Sequence, residues 1–422
     1  MPEWRNWSGS VSAAPERIER PRTEAELAAI VAGAQRVRVA GAGHSFMPLC
    51  ETDGVLISLA DMEGGLDVSA DRTSVWVPAG MPIGKLTEAL WAEDLSLANQ
   101  GDIDKQAIAG ALATATHGTG RTLGALSTFA QGFRLVLADG SVVECDETND
   151  PDLYQAQRVS LGAFGVMSRV KLSVLPAYRL RETLRRAPLE EILGDWDDLT
   201  HRHRHVEFFV FPYADQALLK ILEPVETGDD PAPSSDIESG ALQLVCDLAR
   251  LVPALAPTLQ RLLTSAMGPS TRAAPAWRIF PSERPTKFEE MEYEIPAERG
   301  AEALRAARAE VLRRRLPIIF PFEYRAVAGD DMWLSPMSGR DCISISFHQY
   351  ARMEWRDAFA AIEAVFAAHG GRPHWAKRHS LTSDDVLRLY PDAGRWGEVR
   401  KRVDPKAKFL NAHLRELFAF SL

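Results

Sequence analysis

The sequence predicts an α+β chain in two domains: an N-terminal unit of short mixed strands and helices, then an antiparallel sheet flanked by helices. Three observations carry this. The chain has 422 residues, more than one ordinary core holds. Short β-branched runs alternate with helical stretches up to Pro176, where a long strand ends at a proline. Beyond residue 177 the texture changes to alternating strands with two long helices. Domains are therefore expected over 1–176 and 177–380, with a short helical segment over 381–422.

The first unit reads in order. Residues 21–34 form a helix whose N-cap is Thr23, with Ala25, Leu27, Ile30 and Val31 as its apolar stripe. The strand 37–39 follows and runs into Gly41-Ala42-Gly43-His44-Ser45. Short strands are expected at 55–59, 66–68 and 74–77, and a helix at 83–93. A small-residue stretch, 107–120, precedes a hairpin over 129–145 whose turn is Asp139-Gly140. A helix over 152–160 and a long strand ending near 175 close the unit.

In the second unit, strands are expected over 206–213, 217–223, 291–295, 317–327 and 342–350, with helices over 301–314 and 355–369. The Pro/Gly/Asp/Ser-rich stretch 224–240 reads as a surface loop, and 244–266 as helical.

Composition narrows the function. Hydrophobic content of 46% and charged content of 25% are those of a globular protein. The net charge of −10 excludes an extended nucleic-acid surface. Cys50, Cys145, Cys246 and Cys342 lie far apart without C-x-x-C spacing, so no metal site or disulfide framework is expected. The first residues lack an apolar signal core, and no run of eighteen apolar residues occurs. A cytoplasmic protein without a membrane span is the expectation.

Several constellations could carry chemistry. Glycines at 41 and 43 let backbone approach a ligand, and His44 offers an imidazole to whatever the turn holds. The alternative is an ordinary strand-to-loop turn. Gly101, Gly110, Gly118 and Gly120, interleaved with Thr114, Thr116 and Thr119, could lay N–H groups and hydroxyls against a pyrophosphate, or form a tightly packed crossing. Neither stretch is a Walker loop or a G-x-G-x-x-G turn. Glu323 and Arg325 share one strand face, either as a surface pair or as a buried polyol-orienting pair. Ser344, Ser346 and His348 alternate against Ile343, Ile345 and Phe347. Lys377 sits in a Pro/Trp-bearing turn. The alternation His201, His203, His205, with arginines between, reads as a solvated edge.

Taken together these segments resemble a known family. The order runs Gly-x-Gly-His-Ser at 41–45, Ala-Gly-x-x-x-Thr-x-Thr-His-Gly-Thr-Gly at 109–120 and Leu-Gly-Ala-Phe-Gly-Val at 161–166. Glu-x-Arg at 323–325, Trp-Leu-Ser-Pro at 333–336, Arg-Pro-His-Trp-Ala-Lys at 372–377 and Asp-Pro-x-x-Lys-Phe-Leu-Asn at 404–411 follow. This is similar to the aldonolactone oxidase group of the vanillyl-alcohol-oxidase-type flavoproteins, with alditol oxidases as close cousins.

The resemblance implies a PCMH-type FAD-binding domain, a substrate cap domain, and a C-terminal segment that returns to the FAD side. It implies FAD bonded covalently through its 8α-methyl to His44, with Gly41, Ala42, Gly43 and Ser45 around the pyrophosphate. Gly110, Thr114, Thr116, His117, Gly118 and Gly120 would line the flavin and Val166 the adenosine side. Gly101 and Asn411 fall in the same cofactor-binding motifs. Glu323, Arg325 and Lys377 match the family's polar substrate cluster beneath the flavin N5 and are the expected catalytic residues; Ser346 and His348, by their place on the alternating polar strand face, are expected to line the substrate pocket. The implied reaction is oxidation of a sugar lactone's C2 hydroxyl by hydride transfer to FAD, with O2 giving hydrogen peroxide or another acceptor taking the electrons. Alditol oxidation is the alternative, and Ala107 stands where alditol oxidases carry serine. A flavin-binding relative without turnover is a third possibility, disfavoured by the presence of Glu323, Arg325 and Lys377.

Overall fold

The computed structural model describes residues 2–231, 235–284 and 286–422. The helix Glu24–Gly33 opens the first unit, and Thr23 caps it in a reciprocal capping box with Glu26. The strand Val37–Val39 runs parallel to Val55–Ile57, which also pairs with Arg17–Glu19. A five-stranded antiparallel sheet lies beside it, in the order Val142–Asp146, Ala130–Val136, Val166–Ser173, Ser74–Pro78, Asp67–Val68. Gly140 takes φ +87° in the Asp-Gly hairpin turn.

One apolar core holds this unit together, built from Val55, Ile57, Val75, Val77, Phe133, Leu135, Phe164 and Val170 among others. Met332, Leu334, Met337 and Trp375, from the later part of the chain, are buried in it. So are Tyr390, Trp396, Phe409, Leu414 and Phe418 of the final segment.

The second unit is an eight-stranded sheet, antiparallel throughout. Its order is Ser270–Pro275, Arg179–Pro188, Gln216–Val225, His205–Val210, Phe322–Val327, Cys342–Tyr350, Phe288–Pro296, Arg372–Pro373. Its two faces differ completely. Phe208, Tyr324, Ile345 and Tyr293 stand in one cross-strand row and pack, with Phe322, Ile343 and Phe347, under the helices Gly300–Arg314 and Arg356–Ala368. The opposite face is polar yet buried.

Four expectations need correction. The loop expected over 224–240 gives way to the helix Ser235–Leu251 from its last third, while 232–234 lie outside the described residues. The strand expected from 317 starts only at Phe322, because Pro317 and Pro321 lack the ladder N–H. The strands Arg179–Pro188 and Ser270–Pro275 lie outside the expected set: charged residues hide the alternation in the first, and the second, Ser-Thr-Arg-Ala-Ala-Pro, has no large apolar residue to show one. The solvated-edge reading of the histidines fails at His205. Its ring is fully buried, Nδ1 donates to the Thr119 carbonyl at 2.7 Å, and Phe280 packs against it edge-on.

Candidate active site

The strand Val37–Val39 delivers the glycine turn into an elongated cleft of the first unit. At Gly41 a Cβ would stand 2.9 Å from the Ala107 Cβ, so the two small-residue stretches meet only because that side chain is missing. Gly43 takes φ +70°. Among the described residues, none of the backbone N–H groups of residues 41–45 donates to a protein acceptor. Such a run of free donors suits an anion. Gln157 Oε1, also in the cleft wall, is buried without a partner.

His44 lines the same cleft and stacks on Trp7 at 5.4 Å between centroids. Burial, reinforced by the Lys377 ammonium, pushes its pKa down to about 4. The imidazole is therefore neutral near pH 7 and keeps a free lone pair.

Gly41, Ala42, Gly43, His44, Ser45, Gly110 and Thr114 form part of the cleft wall. Gly101, Thr116, His117, Gly118, Gly120, Val166 and Asn411 do not; Gly165 and Met167 stand in the wall on either side of Val166. Asn411 instead ties the final segment to the loop behind the turn. Its amide donates to the carbonyls of Pro48 and Glu51, and its Oδ1 caps the helix Ala412–Leu417. His117 points away from the cleft, into the polar face of the sheet.

That face gathers groups from several strands. Glu323 and Ser346 are register partners, as are Arg325 and Ser344, and Ser346 Oγ donates to Glu323 at 3.3 Å. Arg325 Nη2 donates to Glu292, and its Nε lies 3.6 Å from Glu323. Glu323 Oε1 and Arg325 Nε are buried with no hydrogen-bond partner. Lys377 pairs with Glu290, which also lies 3.3 Å from His348 Nε2. Beyond Arg325 the charges continue through Glu207 and Lys220, 2.8 Å apart, to Glu182 and Arg272. The Lys377 ammonium also sits over the Phe46 ring, and Phe46 N–H donates to the Ala376 carbonyl. The cleft and the polar face therefore meet beside His44.

Protonation states follow from these partners. Burial alone would raise Glu290, but Lys377 and His348 override it and hold the carboxyl at about 2. Burial likewise works against ionisation of Glu292, which Arg325, His117 and Lys377 keep well below the usual carboxylate range. Burial raises Glu207 to about 7, against the pull of Lys220. His117 and His374 lie 6.0 Å apart and behave oppositely. Burial would lower His117, but Glu294 and Glu292 raise it to about 10. Burial lowers His374 to about 3, and its Nδ1 accepts from the Ala376 N–H, as a neutral ring must.

Residues 170–417 match the family model described as D-arabinono-1,4-lactone oxidase, and residues 15–146 match one described as FAD binding domain. The chain belongs to the D-arabinono-1,4-lactone oxidase family. It is 42% identical to an L-gulono-1,4-lactone dehydrogenase of Mycobacterium tuberculosis, covering 99% of each chain. It is 30% identical to the L-gulonolactone oxidase of Mus musculus, over 99% of this chain and 98% of that one. An alditol oxidase of a Streptomyces species is 29% identical over 98% of each. Among solved structures, a solvent-stable cholesterol oxidase superposes with a TM-score of 0.86 at 16% identity, covering 99% and 97% of the two chains. That likeness concerns the fold alone.

The N-terminal unit is thus the FAD-binding domain of a lactone oxidase family member. Its free N–H run at 41–45 fits a pyrophosphate, and the unpartnered acceptor Gln157 Oε1 fits an N–H or O–H donor elsewhere on the same cofactor. No described helix is long and apolar enough to cross a membrane.

Sequence reasoning missed Glu290, Glu292 and Glu294, along with Glu207 and Lys220. The alternation of three glutamates within Phe288–Pro296 was a usable signal, since it puts all three on one face. Glu207 and Lys220 had none, because each stands alone in an apolar strand.

Proposed function

We propose that this chain oxidises the C2 hydroxyl of a sugar 1,4-lactone, of the L-gulono or D-arabinono type, with FAD as hydride acceptor. The observation that carries it is the pair Glu323 Oε1 and Arg325 Nε. These are an acceptor and a donor, buried, 3.6 Å apart and unpartnered, on the polar face that Glu292 links to Lys377. A carbinol between them would pass its proton to the Glu323 carboxylate, while the Arg325 guanidinium takes the charge developing on oxygen. Lys377, Ser346 and His348 would bind the remaining hydroxyls and the ring oxygen. Bound FAD supplies the electron-pair sink, accepting hydride from the carbinol carbon. Gly41, Ala42, Gly43 and Ser45 would hold its pyrophosphate through backbone N–H groups, and Gly110 and Thr114 would flank it. The names and coverage of the relatives in Mycobacterium and mouse support the lactone reading.

His44 is proposed as the covalent anchor of the flavin. Its neutral imidazole in the cleft wall supports this, because only the unprotonated ring is nucleophilic. Flavin that stays with the chain through acid precipitation is the expected result; complete release would remove the tether.

Alditol oxidation remains a second reading because of the Streptomyces relative, but Ala107 offers a polyol no hydroxyl. The deciding experiment is anaerobic flavin bleaching by L-gulono-1,4-lactone, D-arabinono-1,4-lactone and xylitol, followed by air. Bleaching by lactones and not xylitol supports the proposal; bleaching by xylitol alone overturns it. Peroxide on reaeration assigns O2 as acceptor. Slow reoxidation without peroxide assigns a dehydrogenase, as the mycobacterial relative is named.

A further inference from the structure

Glu292 is where the polar face converges. It stands mid-strand opposite Ser346, with a side chain 2% exposed. Its Oε1 accepts from Arg325 Nη2 and from Ser344 Oγ at 2.6 Å, and lies 3.3 Å from His117 Nε2. Its Oε2 lies 3.7 Å from Lys377 Nζ. These donors come from two neighbouring strands, from the 107–120 stretch of the FAD-binding domain, and from the turn after Arg372–Pro373.

We infer that Glu292 is a positioning residue for hydroxyl oxidation, anchoring Arg325 through Nη2 so that Nε is left for substrate, with His117 balancing its charge from the FAD-binding domain. The inference rests on the proposed role of Arg325. A guanidinium is a rigid planar fork, so fixing one nitrogen aims the others. Without Glu292, the nearest carboxylate left to Arg325 among the described residues would be Glu323, 3.6 Å from its Nε, with Asp102 and Glu207 as more distant anionic neighbours. The anchor would then draw the same nitrogen that the substrate needs.

His117 completes the clamp. Its Nδ1 faces the Gly118 carbonyl at 2.8 Å, and its Nε2 faces Glu294 at 3.2 Å and Glu292 at 3.3 Å. Every neighbour within reach of a ring nitrogen is an acceptor, so both nitrogens donate and the ring is an imidazolium. The other charged or titratable groups facing these residues are Lys377 and Arg325, both beyond Glu292, Glu290, which shares Lys377 with Glu292, Cys342 and Tyr390 near Glu294, and neutral His374 at 6.0 Å between rings. Deprotonating His117 would leave Glu292 and Glu294 sharing one compensating cation fewer. Arg325 would then be drawn more tightly toward the sheet, away from the substrate.

The test uses full-length, flavin-loaded E292Q and E292D, with steady-state turnover of L-gulono-1,4-lactone on an artificial acceptor from pH 6 to pH 11. NMR titration of the His117 ring runs alongside. E292Q should lose roughly tenfold to a hundredfold in kcat with KM changed much less, the pattern of a misaligned transition-state donor. E292D keeps the charge and should recover part of that loss. The His117 pKa should fall by about one unit or more in E292Q. Wild-type kcat in E292Q, a loss confined to KM, or E292D no better than E292Q would overturn the assignment. If E292Q does not fold, H117Q tests the same clamp: wild-type kcat should decline as His117 loses its proton, H117Q should lack that decline, and a decline that persists in H117Q would overturn the clamp. If wild type turns over no lactone, the proposed substrate is wrong. The His117 titration still decides, because an unmoved pKa in E292Q means that Glu292 does not hold His117.

Discussion

The glycine turn at 41–45 and the polar face of the eight-stranded sheet meet beside His44 and Lys377, yet they present polar atoms in opposite ways. The turn offers backbone N–H groups that no protein acceptor takes. The sheet offers side chains, most of them already engaged with one another; among the described residues Glu323 Oε1 and Arg325 Nε stand side by side without partners, and Glu294 Oε2 is also unpartnered. Open backbone donors accept any suitably shaped anion. An unpartnered acceptor beside an unpartnered donor accepts a hydroxyl in one orientation. Cofactor retention should therefore depend on the turn, and turnover on the sheet.

The largest expected effect is on the sheet side. Arg325→Ala removes a donor to the developing alkoxide and should lower kcat/KM by roughly a hundredfold or more, with flavin content unchanged. Unchanged kcat/KM would break the comparison, because the sheet wall would then not govern turnover. The mirror experiment is His44→Ala. It should release flavin on acid precipitation while the folded protein still takes up FAD through the turn; flavin retained after precipitation would move the tether elsewhere.

A smaller effect is expected at Gly41. In Gly41→Val the side chain would meet Ala107 at a site where even a Cβ comes to 2.9 Å. FAD affinity should fall by about tenfold, read by fluorescence titration of the apoprotein. Loss of kcat at saturating FAD instead would show that the two walls are not separable.

The smallest effect concerns pH, and it separates two neighbouring histidines. His374 has a folded pKa of about 3 against an ordinary 6.5. Below pH 6.5 the unfolded chain binds a proton that the folded chain refuses, so stability falls as pH drops toward about 3. His117 has a folded pKa of about 10. Its contribution is fully present below 6.5 and is lost as pH rises through 10. Urea midpoints of His374→Asn should decline less on acidification than those of wild type. Midpoints of His117→Asn should decline less on the alkaline side. Parallel curves in either case would remove that histidine from the pH dependence.

Much of the fold was legible. The Thr23 cap, the Asp139-Gly140 hairpin turn and the strand 342–350 carry local signals strong enough to stand in any context. The strand Arg179–Pro188 was not, because its apolar positions are interrupted by arginines that a long, partly exposed strand tolerates. The alternation of Ser344, Ser346 and His348 was readable as a polar face. That this face is buried was not readable, since burial depends on the FAD-binding domain lying over it.

By itself the sequence determined the glycine turn at 41–45, the position of His44 on it and the shared face of Glu323 and Arg325, because glycine freedom and strand alternation are local properties. Only the tertiary structure decided which carboxylates matter. Glu292 meets His117 across 175 residues and Arg325 across two strands, and it stays ionised only because those cations surround it. A pairing of that kind leaves no trace in spacing, since the sheet order Phe322–Val327, Cys342–Tyr350, Phe288–Pro296 sets the last of these strands in the chain between the two that precede it.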